Sequence, residues 1–127
     1  MSNPHKGRTG WQRIIWATHH SLHGLKLAWC TENAFRQEAT AAALMLPASL
    51  WLGRSGVEVA LLAGSVLAVL IVELLNSAVE AAIDRVSYEL HDLSRRAKDF
   101  GSAAVLLSLL ACASVWLGVL YDRLGAP

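Results

Sequence analysis

The chain has 127 residues, 54% of them apolar and 17% charged, and its mean hydropathy is positive. That is room for one domain, and the composition excludes an ordinary soluble protein in favour of the membrane class. Lys and Arg number 11 against 10 acids, and the net charge of +1 gives no basis for a nucleic-acid partner.

The opening "MSNPHKGRTG" is polar and no cleavable apolar core follows promptly, so nothing is expected to be removed. Residues 11–29, "WQRIIWATHHSLHGLKLAW", are too polar to cross a bilayer. At about 100° per residue, Trp11, Ile14, Ile15, Thr18, Leu22, Leu25 and Trp29 share an arc of about 100°, with His19, His20 and His23 elsewhere. This predicts an amphipathic helix on the inner membrane surface, its tryptophans at headgroup level. Trp16 and Leu27 point to the polar side and call for a protein neighbour.

Three segments are expected to span, giving an all-α membrane protein with helices over about 32–53, 56–84 and 93–122, a single domain over 1–127. The first, "ATAAALMLPASLWLG", reaches spanning length only if its helix begins near Glu32 or Asn33, with Pro47 as a possible kink. The second starts near Val57. The third, "FGSAAVLLSLLACASVWLGVLY" at 100–121, is uncharged. Cys30 and Cys112 read as unpaired thiols.

Lys6, Arg8, Arg13, Lys26 and Arg36 precede the first span, Arg54 follows it, Arg85, Arg95, Arg96 and Lys98 precede the third, and Arg123 follows that. This alternation places the amino terminus in the cytosol.

The second span ends in "IVELLNSAVEAAIDR", residues 71–85. On a wheel, Glu73, Asn76, Ser77, Glu80 and Asp84 share an arc of about 100°. At about 1.5 Å per residue from Val57, about 20 residues reach the inner boundary near Asn76, so Glu73 sits at headgroup depth and Glu80 about 10 Å further out. An acid near hydrocarbon is costly and marks a partner or a site. Asp84 reads equally well as support or as the helix leaving the membrane.

Glu32, Arg36 and Glu38 crowd the same rim, as do Glu89, His91, Asp92, Lys98, Asp99 and Ser102. Carboxylates from different helices suit Mg²⁺, which takes one or two of them and fills its other positions with water and phosphates; Glu32 and Glu80 are the natural pair. Lys98 and the amino terminus of the third span offer positive charge for phosphate. The glycines form neither a Walker-type loop nor a GxGxxG motif. A base at headgroup depth with a metal–phosphate site just outside describes phosphorylation of a lipid alcohol, with Glu73 taking the hydroxyl proton.

"AFRQE" (34–38), "VELLNSAVEAAIDR" (72–85) and "LSRRAKDFGSAAV" (93–105) resemble the signature segments of the small bacterial integral-membrane diacylglycerol kinases, a likeness running from about Arg13 to about Tyr121. The resemblance implies an ATP- and Mg²⁺-dependent kinase of the bacterial inner membrane that makes phosphatidic acid, a homotrimer of three spans and a surface helix per chain. It implies Glu73 as general base, Asn76 as its support, and Glu32 and Glu80 as metal and nucleotide ligands. It further implies Arg13, His20, Glu89, His91, Lys98 and Asp99 at the nucleotide, and Ser102 with Ala34, Phe35, Arg36, Gln37 and Glu38 at the lipid. The chain departs from the family in "HHSLHG" at His20, Leu22 and His23, and at Arg95.

Two other readings stay open at this stage. One is a polyprenol such as undecaprenol as the substrate. The other is an oligomeric proton or cation pathway, against which stands the lack of polar groups in the outer half of the spans, where Ser65, Ser108 and Ser114 are the exceptions.

Overall fold

The computed structural model describes residues 9–86 and 92–125, all of its regular structure helical: α1 (Trp11–Thr31), α2 (Asn33–Leu52), α3 (Gly56–Val86) and α4 (Asp92–Gly125). Gly10, at φ 62°, turns the chain into α1 and accepts its first bond from the Ile14 N–H. A single extended residue, Glu32, separates α1 from α2. Its N–H closes α1 on the Ala28 carbonyl at 2.9 Å, and its carbonyl opens α2 by accepting from the Arg36 N–H at 3.1 Å. The Glu32 carboxylate makes no capping bond.

α2 stops at Gly53, whose N–H reaches the Ser49 carbonyl at 3.0 Å. A Cβ there would collide with the Val59 side chain and stand 2.9 Å from its backbone nitrogen, so glycine is needed for this tight approach to α3. α3 opens with a reciprocal cap. Ser55 Oγ accepts from the Glu58 N–H, and the Glu58 carboxylate accepts from the Arg54 N–H, each at 3.1 Å.

The most extensive packing is α3 against α4, then α2 against α3. Two seven-residue patterns explain it. On α2 the seam is Phe35, Glu38, Ala42, Met45, Ser49 and Leu52; on α3 it is Leu62, Val66, Val69, Glu73, Asn76 and Glu80. Their middle members, with Cys112 of α4, form the core, and Leu62 is fully buried. Two polar contacts at this level join α3 to α4: Ser65 Oγ lies 3.5 Å from Cys112 Sγ, and Trp116 Nε1 donates to the Leu62 carbonyl at 3.2 Å.

At the end of the bundle away from Glu73, Arg123 of α4 donates to the Leu52 and Trp51 carbonyls at 2.8 and 3.3 Å and lies 5.3 Å over the Trp51 ring. Arg54 returns a bond to the Arg123 carbonyl at 3.1 Å. These bonds tie the last turn of α2 to the last turn of α4, satisfying carbonyls that a helix end leaves orphaned.

Among the described residues, α3 and α4 are long and apolar enough to cross a membrane. Only 11% of the most apolar stretch of α4 is buried within the chain, so its leucines face lipid or other protein. α2 falls short of that measure, because Asn33, Arg36, Gln37 and Glu38 occupy its first turns. α1 extends two residues beyond the expected 29 and buries only Ala28. Of the two side chains expected to need a neighbour, Trp16 lies with its ring 5.9 Å from those of His19 and His20, and Leu27 lines a groove facing α3.

Candidate active site

The polar face of α3 is the downward continuation of its core seam. The seven-residue pattern that buries Leu62, Val66 and Val69 also delivers Glu73, which keeps 5% of its exposure. α2 descends beside it, and Glu38 borders a cavity shared with Val66 and Val69 of α3. One oxygen of Glu38, Oε2, is buried without a hydrogen-bond partner. The charges of Glu80 and Glu32 both act on Glu73, that of Glu80 more strongly. Four carboxylates from α2, α3 and the α1–α2 junction therefore gather at one end of the bundle.

One turn beyond Glu73, Asn76 packs on Gly101 of α4. A Cβ on Gly101 would collide with Asn76 Oδ1, so glycine lets the two helices close here. Asn76 Oδ1 is buried and accepts no hydrogen bond among the described residues. A carbonyl oxygen left unpaired beside an acid is a ready acceptor for a substrate proton donor.

Further along, Lys98 Nζ pairs with Asp84 Oδ1 at 2.8 Å, with both side chains about half exposed. Asp84 is thus not merely the helix leaving the membrane, since it fastens α3 to α4. Exposed ion pairs of this kind are weak, so Lys98 can be drawn off by a phosphate.

Arg13 and His20 stand exposed on α1, and Asp99 and Ser102 exposed on α4. In the "AFRQE" segment Phe35 is buried, Ala34 and Gln37 are exposed, and Arg36 donates to Asn33 Oδ1. Glu89 and His91 lie outside the described residues. Between α1 and α3 runs a groove lined by Leu25, Ala28, Glu32, Leu74, Ser77 and Ala81, mostly apolar and open to the outside. It leads from α1 to the acid-bearing stretch of α3.

Among the described residues no three His, Cys, Asp or Glu side chains stand close enough to enclose a metal within one chain. Glu32 and Glu80 provide a two-carboxylate donor set, which fits an ion that completes its shell with water and phosphate oxygens. Sequence reasoning placed Glu38 with the lipid contacts and missed its place on the buried seam of α2. The signal was available, since Glu38 falls in register with Phe35, Ala42, Ser49 and Leu52 on the buried seam of α2.

These features define an all-helical membrane protein with a carboxylate site at one end of the bundle. The family model described as prokaryotic diacylglycerol kinase matches residues 19–120. The diacylglycerol kinase of Escherichia coli K12 is 46% identical over 117 residues, covering 92% of this chain and 96% of the relative. That of Pseudomonas aeruginosa PAO1 is 46% identical over 118 residues, covering 93% and 96%. The Helicobacter pylori 26695 enzyme is 36% identical over 107 residues, 84% of each chain. The chain belongs to the prokaryotic diacylglycerol kinase family. It is accordingly a kinase, and its reaction is nucleotide-dependent.

Proposed function

We propose that the chain transfers the γ-phosphoryl group of ATP to the hydroxyl of diacylglycerol, giving phosphatidic acid, at the cytosolic face of a bacterial inner membrane. The observation that carries this reading is the position of Glu73: buried at the end of an apolar seam, with Glu80 and Glu32 acting on it through their charge. A diacylglycerol anchored by its chains presents its hydroxyl at this depth, while a nucleotide approaches from the aqueous side.

In this reading Glu73 takes the hydroxyl proton as the oxygen forms its bond to the γ-phosphorus, and the bond to the bridging oxygen breaks with ADP leaving. Glu32 and Glu80 would hold Mg²⁺, which when bound neutralises charge on the transferring phosphate. Asn76, packed on Gly101 one turn beyond Glu73, supports the catalytic centre. Lys98 exchanges Asp84 for a phosphate oxygen. Arg13, His20, Asp99, and Glu89 with His91 outside the described residues, contact the nucleotide; Ser102 and residues 34–38 contact the lipid.

α2 serves as a third span, with α1 on the inner surface and the amino terminus in the cytosol. Three copies assemble, which the exposed leucines of α4 support by needing cover. A through-membrane ion path is disfavoured, because Val69, Val66 and Leu62 seal the seam directly above Glu73.

The test is purified protein in mixed micelles with ATP, Mg²⁺ and either diacylglycerol or undecaprenol. Phosphatidic acid as the main product supports the proposal. Phosphorylation of undecaprenol alone would change the substrate, and turnover of neither lipid would overturn the reading.

A further inference from the structure

Among the described residues one ion pair joins α3 to α4. Lys98 Nζ, in the second turn of α4, stands 2.8 Å from Asp84 Oδ1 in the last turn of α3. The other ion pair among them, Arg96 with Asp92 at 2.9 Å, closes within the first turns of α4 and engages Asp92 there. As a clasp between helices the Lys98–Asp84 pair is poor, since the two side chains keep 44% and 51% of their exposure and water screens both charges.

The partners differ in freedom. Aspartate is short and stays where α3 holds it, whereas the lysine ammonium rides on a four-carbon stem with three donors and can turn to another acceptor without either helix moving. Glu80 lies four residues before Asp84 on the same face of α3, about 6 Å along the axis. A phosphate chain held near Glu80 is therefore a neighbour of the pair. Its oxygens carry more charge than one carboxylate and compete with Asp84 for the same ammonium.

We propose that Asp84 is a positioning residue that competes with the nucleotide for Lys98: it holds the ammonium beside the site before ATP arrives, yields it to the phosphates, and reclaims it as ADP leaves. The proposal rests on Lys98 contacting the nucleotide phosphates. Competition makes nucleotide bind more weakly than Lys98 alone would allow. It also eases the loss of ADP, whose shorter phosphate chain has fewer oxygens to hold the lysine. Asp84 touches neither substrate and takes part in no bond change.

The experiment measures the dissociation constants of ATP and ADP by titration calorimetry at constant Mg²⁺ and about 0.15 M salt, where distant charges are largely screened. Full-length parent, Asp84→Asn, Lys98→Met and the double variant Asp84→Asn/Lys98→Met are compared in micelles. Thermal unfolding verifies that each is folded, and Asp84→Ser repeats the comparison with a second uncharged side chain. A half-exposed pair changes affinity only a few-fold, so either Asp84 variant is expected to bind ADP about twofold to fivefold more tightly than the parent. Lys98→Met is expected to weaken ADP binding about tenfold. In the double variant the loss of Asp84 is expected to leave ADP affinity where Lys98→Met alone puts it, because no lysine remains to be released.

Unchanged or weaker ADP binding in a folded Asp84 variant would overturn the competition, the weaker binding making Asp84 a support of the site. The same tightening with and without Lys98 would also overturn it, since removing a negative charge beside an anionic ligand does that by itself. Nucleotide affinity unchanged in Lys98→Met would instead take Lys98 away from the phosphates, ending that reading and this one together.

Discussion

Glu80 and Gly101 illustrate how the site is set residue by residue. Glu80 lies two turns below Glu73 on the same seam, and its charge is the strongest acting on Glu73. Glu80→Gln is therefore expected to raise the Mg²⁺ concentration needed for half-maximal rate and to weaken ATP binding together; an unchanged metal dependence would remove Glu80 from the metal shell. Gly101 acts through packing alone. Gly101→Ala drives a Cβ into Asn76 Oδ1, an overpacking that costs about 1–3 kcal/mol and displaces Asn76 from its place beside Glu73. Thermal unfolding in micelles should show the loss, and Gly101→Ala/Asn76→Ala should recover stability without recovering activity. The acids of 71–85 were legible in the sequence as one face, because helical periodicity alone puts them there. The place of Glu38 beside Val66 and Val69 was not, because it depends on the antiparallel register of α2 and α3, which the composition of neither helix states.

At the scale of the helices, the far end of the bundle is held by Arg123, which serves two carbonyls and one aromatic ring of α2. In the sequence Arg123 was merely a charge after the third span. Its partners stand 71 and 72 residues away, beyond any local pattern. Arg123→Ala leaves those carbonyls without a donor at the interface and is expected to cost about 1–2 kcal/mol of stability, with most of the kinase rate retained because the site is at the opposite end. Unfolding and activity measured on the same preparation would check it; a loss of rate at unchanged stability would contradict it. The long apolar runs of α3 and α4 needed no such information, since about 20 uncharged residues specify a helix of spanning length. The Ser55–Glu58 cap follows a local pattern too, Ser-x-x-Glu before an apolar run.

For the whole molecule, a single chain gathers Glu32, Glu38, Glu73 and Glu80 yet leaves Asp99 and Ser102 exposed on the outside of α4. The proposed assembly would let a neighbouring copy complete the site. Co-assembled Glu73→Gln and Asp99→Asn chains should regain a fraction of the activity that each lacks alone, while Glu73→Gln with Glu80→Gln should regain little, since those two acids act within one chain. Recovery in the second mixture and not in the first would reverse the assignment. The central claim is that Glu73 takes the proton from diacylglycerol. Its most direct test is the turnover of Glu73→Gln beside its affinity for ATP: kcat is expected to fall at least about a hundredfold with nucleotide affinity nearly unchanged. Retained turnover, or a loss confined to ATP binding, would contradict the account.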